Sequence, residues 1–167
     1  MFLDAITENE VATEIGQLDG NKSGGFDEIS PKVVKAVSKH IVKPLTHVYN
    51  PSFVTGIVPS ELKKAVVTPV FKLNDKESFS NYRPISVLPC FSKILEKLMY
   101  KRVVKFLDKH SILSENQYGF RKKRSTNLAI MELVTKISKA IDDKEYTMGV
   151  FLDLSKAFDT VDRKSVV

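Results

Sequence analysis

The chain has a single cysteine, Cys90, so it can form no internal disulfide. Its three histidines, His40, His47 and His110, are too scattered to build a zinc site with that one thiol, and each reads as an ordinary helix or loop residue. No apolar run approaches the roughly 18 residues that a membrane span requires. The start, Met1-Phe2-Leu3-Asp4, lacks the basic stretch and apolar run of a secretory signal. The expectation is therefore no membrane association and an intracellular location, in the nucleus or the cytoplasm. Internal repeats and low-complexity tracts are missing too. What is present is a 167-residue chain that is 43% hydrophobic, which suits a modest buried core and argues against a disordered tail.

The net charge is +6, and the excess is concentrated. Residues 60–124 hold 15 lysines and arginines against 6 acidic residues, whereas the rest of the chain is slightly acidic. A basic centre between acidic flanks points to a polyanion such as nucleic acid or a nucleoside triphosphate. A solvated lysine-rich helix face has the same composition, and charge alone leaves both open.

Thr7-Glu8-Asn9-Glu10 has the spacing of a capping box, and Val11, Ile15 and Leu18 follow at helical intervals, which predicts a helix to about residue 18. Ser30-Pro31 reads as an N-cap and first helical position, opening a helix that ends before Pro44. A third helix is expected over residues 45–54, kinked or broken at Pro51. Residues 65–72, AVVTPVFK, read as a strand that Pro69 confines to an edge or a bulge, followed by a loop or hairpin over 73–83. Residues 89–109 form the longest helix. Ser125 or Thr126 caps another to about residue 141, with Leu128, Met131, Val134 and Ile137 on its buried side. After a turn at 142–144, residues 146–152, YTMGVFL, read as a buried strand ending in Asp153.

A strand-end aspartate is costly to bury unless a cation or donor meets it, so Asp153 suits a Mg²⁺ ligand at a phosphoryl-transfer site. It equally suits a cap on the turn that follows. At this point the sequence becomes recognisable. FLDLSKAFDTV, at 151–161, resembles the first catalytic motif of reverse transcriptases of non-LTR (LINE-type, jockey-like) retrotransposons. Three more blocks stand in that family's order: PSELKKAVVTPVFK at 59–72, NYRPISVLP at 81–89 with KILE at 93–96, and QYGFRKKRST at 117–126. The segment KSGGFDEI at 22–29 resembles the stretch that precedes the fingers in these enzymes. Four ordered motifs are far more specific than any one of them.

The resemblance implies roles residue by residue. Asp153 matches the first metal-binding aspartate, and Leu154 the position whose carbonyl helps hold Mg²⁺ with the incoming triphosphate. Phe158 matches the aromatic gate that favours dNTPs by colliding with a 2′-hydroxyl, although a core phenylalanine fits the pattern as well. Asp159 belongs to the motif and reads as a group that holds its turn. Lys72 and Arg83 match the fingers residues that contact the dNTP triphosphate, chemistry that a point-charge ammonium and a planar guanidinium serve well. Lys63 and Lys64 either add to that surface or form a solvated pair. Arg121, Lys122, Lys123 and Arg124 resemble the template-contacting stretch, with Tyr118 and Phe120 available for packing or stacking.

The implied fold is α+β: right-hand polymerase fingers with an incomplete palm, mostly helical with a small sheet. Residues 1–52 would be a helical N-terminal extension and 53–167 an incomplete reverse transcriptase domain. The implied parent activity is RNA-directed DNA synthesis, with an RNA template, a DNA primer, dNTPs and Mg²⁺. Two-metal transfer needs more than one carboxylate, and the aromatic-Ala-Asp-Asp motif that supplies the others is not in this sequence. Asp142-Asp143 lies in a polar turn and is no substitute. The expectation is a segment that is inactive alone. The alternatives are a relic or co-opted module that binds RNA or DNA without catalysis, and a helical interaction protein with a basic face, which would leave the ordered motifs unexplained.

Overall fold

The computed structural model describes residues 4–154 and divides the chain into two units, the first reaching Leu113 and the second beginning at Ser114. In the first, helix α1 (Glu8–Gly16) opens with the expected capping box. The Glu10 N–H donates to the Thr7 hydroxyl at 3.3 Å, and the Glu10 carboxylate accepts from the Thr7 N–H at 2.8 Å. Helix α2 (Pro31–Ala36) starts on the Ser30 cap with proline at its first position.

The next boundary differs from expectation. The helix breaks at Val37, and α3 (Ser38–Thr55) then runs unbroken through both Pro44 and Pro51. The two prolines lie seven residues, nearly two full turns, apart, so they share one face, and that face is exposed. The carbonyls of His40 and His47, which lose their helical partners, open to water there. The opposite face, with Tyr49 and Phe53, is buried and holds the helix together.

Helix α4 (Cys90–Lys109) is the longest element, as its periodicity predicts. It contributes Cys90, Ile94, Leu95 and Leu98 to a core shared with Ile15 of α1, Val34 of α2, and Tyr49 and Phe53 of α3. Each such fully buried aliphatic side chain is worth about 2–3 kcal/mol. Tyr49 donates its hydroxyl to the Phe91 carbonyl at 2.8 Å, and burial pushes its phenol pKa up. The buried Glu14 of α1 is ion-paired with Lys101 of α4. Gly25 lies so close to the chain at Pro89 that a Cβ would stand 2.4 Å from the Pro89 nitrogen. Gly25 of KSGGFDEI is therefore a packing requirement where this loop meets the start of α4, whereas a Cβ at Gly24 would meet the loop's own backbone, 2.8 Å from the Ile29 carbonyl oxygen.

Strands β1 (Val66–Phe71) and β2 (Tyr82–Val87) form one antiparallel ribbon. Of the loop or hairpin left open for residues 73–83, the structure forms the hairpin, and its second strand begins at Tyr82 and runs on to Val87, a stretch that Pro84 disguises as a strand in the sequence. Pro69 faces Pro84 in the register. Neither has an N–H, so this is a non-hydrogen-bonded pair, and the bond from the Lys72 N–H to the Asn81 carbonyl at 2.8 Å sets the alternation. Both proline nitrogens consequently point outward, to the two open edges of the ribbon.

In the second unit, helix α5 (Thr126–Asp142) starts on the predicted cap, the Ser125 hydroxyl accepting from the Leu128 N–H. Its apolar side is not buried: Leu128, Met131 and Val134 are 43%, 65% and 54% exposed. The strand anticipated at 146–152 is also not formed, and that segment has no regular structure and is exposed. Both departures have one cause. An amphipathic helix and a strand gain their stability from a packing face and a ladder, and the described residues of this unit contain no sheet for either to join. The architecture is mixed helix with a small two-stranded antiparallel sheet, an α+β arrangement.

Candidate functional site

The ribbon places two of the anticipated residues together. Side chains alternate faces along a strand, and Arg83 pairs with Val70 while Lys72 follows two residues after Val70. Lys72 and Arg83 are thus diagonal neighbours on one face, at a backbone separation of about 7–8 Å. Both are exposed. Two long cations on one open face can close on an anion from either side.

The opposite face carries a different chemistry. Phe71 and Tyr82 meet edge-on with ring centroids 5.6 Å apart, and Lys76 lies over the Phe71 ring at 5.7 Å. The Tyr82 hydroxyl donates to the Lys76 carbonyl at 2.9 Å, and the Asn81 amide donates to the Asp75 carbonyl at 2.8 Å. These bonds fix the connecting loop, and with it the ends of the strands that carry Lys72 and Arg83. Of the other lysines considered, Lys64 is paired with Glu61 at 2.8 Å on the surface, and Lys63 ends a short 3-10 turn, Ser60–Lys63.

The basic run lies in the second unit, in a loop braced by its own arginines. Arg121 donates to the Ser114 carbonyl at 2.7 Å. Arg124 pairs with Glu115 at 2.8 Å, and its guanidinium carbon lies 5.2 Å from the Tyr118 ring centroid. Lys122 and Lys123 are exposed. Sequence reasoning treated the four cations alike, whereas the structure separates two that organise the loop from two that face solvent.

Asp153 and Leu154 are exposed in the segment without regular structure. Among the described residues no group of three or more histidine, cysteine or acidic side chains is gathered for a metal ion. Asp153 therefore supplies one carboxylate where two-metal chemistry requires more, and these residues do not by themselves make a metal centre. Phe158 and Asp159 lie outside the described residues. Among the described residues no helix is long and apolar enough to cross a membrane.

Comparison with known proteins decides the family. The family model described as reverse transcriptase (RNA-dependent DNA polymerase) matches residues 74–166, more than half of the chain. The chain belongs to the reverse transcriptase family. It is 34% identical over 93% of its length to a probable RNA-directed DNA polymerase from transposon BS of Drosophila melanogaster. A corresponding protein from transposon X-element of the same species is also 34% identical, over 91% of the chain. The RNA-directed DNA polymerase from mobile element jockey is 29% identical over 95%. These relatives are non-LTR transposon proteins, as the ordered motifs imply. The chain spans 17–18% of the length of each, so it corresponds to one segment of a reverse transcriptase. Enzymes of this family use divalent metal ions.

One signal invisible in sequence is backbone conformation. Phe120 and Lys123 adopt left-handed φ values of 60° and 61°, and nothing in the motif QYGFRKKRST announces them.

Proposed function

We propose that this chain is the fingers segment, with the start of the palm, of a retrotransposon RNA-directed DNA polymerase. The parent protein would extend a DNA primer with dNTPs on an RNA template. The observation that carries this reading is the common face of Lys72 and Arg83 on a ribbon whose open surface leaves room for a triphosphate. Their two cations bind its oxygens, the guanidinium by paired N–H donors and the ammonium as a mobile point charge. The exposed Lys122 and Lys123 contact template phosphates, with Arg121 and Arg124 adding charge from within the same loop. Asp153 contributes one carboxylate, and Leu154 its carbonyl, to a Mg²⁺ site completed by other groups of the parent. Phe158 selects against ribonucleotides.

Primer extension by the full gene product on an RNA template tests the reading. Arg83→Ala is expected to raise the apparent KM for every dNTP about tenfold or more, in line with losing charged hydrogen bonds of about 1.5–3 kcal/mol. Unchanged dNTP kinetics would remove Lys72 and Arg83 from the triphosphate site. The second reading, a module that binds nucleic acid without catalysis, rests on the exposed Lys122 and Lys123 of the second unit. It predicts steeply salt-dependent RNA binding by a full gene product that extends no primer.

A further inference from the structure

A cavity of about 560 Å³ opens in the first unit between α4 and the short turn Ser60–Lys63, a volume typical of small-molecule sites. Neither Lys72 nor Arg83 lies in its wall. Leu62 of the turn and Leu95, Met99 and Val103 of α4 make that wall largely apolar. Two polar side chains of α4, Ser92 and Glu96, interrupt it one helical turn apart. Ser92 is 1% exposed, and its hydroxyl has no hydrogen-bond partner. Glu96 stands exposed at the rim, yet enough of it is covered that burial pushes its carboxyl pKa up. Among the described residues no cation is in ion-pair contact with it. The hydroxyl has lost its water and gained nothing in return, and the carboxylate has lost part of its own.

We propose that this cavity binds an organic ammonium, its apolar body between Leu62 and Leu95 and its protonated primary amine held between Glu96 and Ser92. Side chains four residues apart on a helix have Cβ atoms about 5–6 Å from each other, a span that one nitrogen with three N–H donors bridges. The ammonium donates to the Glu96 carboxylate and to the Ser92 oxygen, and the apolar body displaces water from the wall. The cavity's other charged residue, Lys63, belongs to the turn across from α4 and would select an acid instead. An ammonium meets two oxygens on one side of α4, whereas a carboxylate on Lys63 meets a single cation and leaves Glu96 facing a like charge.

The test is nuclear magnetic resonance of the methionine methyl groups in the whole 167-residue chain, titrated with tryptamine, tryptophol and indoleacetate, which carry a cationic, a neutral and an anionic head on the same ring. Met99 lines the cavity, whereas Met131 and Met148 belong to the second unit and serve as controls. Tryptamine is expected to move the Met99 signal saturably and to leave the two controls in place, with tryptophol binding about tenfold more weakly and indoleacetate more weakly still. Glu96→Gln brings tryptamine down to the level of tryptophol, and Ser92→Ala weakens it roughly two- to tenfold. Circular dichroism matching the parent verifies both variants, and the comparison of heads on the unaltered chain stands whatever the variants do to folding. A Met99 signal that no probe moves, equal affinity for the three heads, or tryptamine binding untouched by Glu96→Gln in a folded variant overturns the proposal. Preference for indoleacetate overturns it too and transfers the anchor to Lys63. None of these results bears on the triphosphate reading, because the cavity shares neither Lys72 nor Arg83 with it.

Discussion

Arg102 of α4 reaches Glu10 of α1 across 92 positions of sequence, with Nη2 3.1 Å from each carboxylate oxygen. The same guanidinium donates from Nε to the Asp4 carbonyl at 2.8 Å and from Nη2 to the Ala5 carbonyl at 3.2 Å, and it lies over the Phe53 ring at 5.0 Å. In the sequence Arg102 was one more charge in a basic centre. In the structure it fastens the N-terminal segment at Asp4 and Ala5, together with α1, to the helix that follows the ribbon. Arg102→Ala should therefore lower unfolding stability by about 2–3 kcal/mol, and Arg102→Lys should recover little, because an ammonium cannot serve several acceptors in one plane. Urea unfolding followed by circular dichroism measures both, and equal stability of Arg102→Ala and the parent would refute the role.

The same contact gives a pH dependence. Burial pushes the Glu10 carboxyl up, but the Thr7 N–H and hydroxyl and the Arg102 guanidinium outweigh it and hold the pKa below its ordinary value of 4.5. A carboxylate whose folded pKa is depressed adds stability above its unfolded pKa and loses it as pH falls through the folded value. Glu10→Gln should therefore melt below the parent at pH 7, and the gap should narrow as the pH drops beneath 4.5. A gap that stays constant to pH 3 would exclude the ionic contribution.

Two glycines separate steric from conformational cost. A methyl group at Gly25 meets the Pro89 backbone at 2.4 Å, whereas one at Gly56, where φ is 73°, meets nothing within 4 Å. Gly56→Ala should cost about 1 kcal/mol, the ordinary penalty for a left-handed residue. Gly25→Ala should cost clearly more and should speed amide exchange around Cys90, whose thiol donates to the Ile29 carbonyl at 3.3 Å. Equal penalties at the two positions would refute the close approach.

Pro44 and Pro51 sit on the solvent face of α3, where each removes one helical hydrogen bond. Replacing either by alanine should stabilise the chain by about 1–2 kcal/mol, the gain in helix being offset in part by a more flexible unfolded chain. A higher melting temperature with unchanged helix content is the expected result.

Much of this fold is legible in the sequence wherever the signal is local. The Thr7-Glu10 box, the Ser30-Pro31 start, the Ser125 cap and the period of α4 all depend on neighbours within four residues, and each is found where it was read. The helix break at Val37 and the continuity through Pro44 and Pro51 were not legible, because they depend on which face of α3 meets the core. Tyr82 to Val87 could not be recognised as a strand without knowing that Pro84 would face Pro69. The apolar patterns of α5 and of residues 146–152 were read correctly as patterns, but burial needs a partner surface, and pattern does not supply one. At the candidate site, the resemblance named Lys72 and Arg83, and the register supplied their common face. The left-handed turn at Phe120 had no sequence signal at all.

The outward prolines of the ribbon have a consequence for how this protein behaves in a crowded solution. Apart from Pro69, Val66 to Phe71 is an exposed, β-rich, uncharged stretch with the composition of segments that recruit copies of themselves into fibrils. A foreign strand that lays itself along β1 finds Pro69 in the middle with no N–H to offer, and one approaching β2 meets Pro84. The hairpin can thus stand open on both sides without becoming a seed for aggregation.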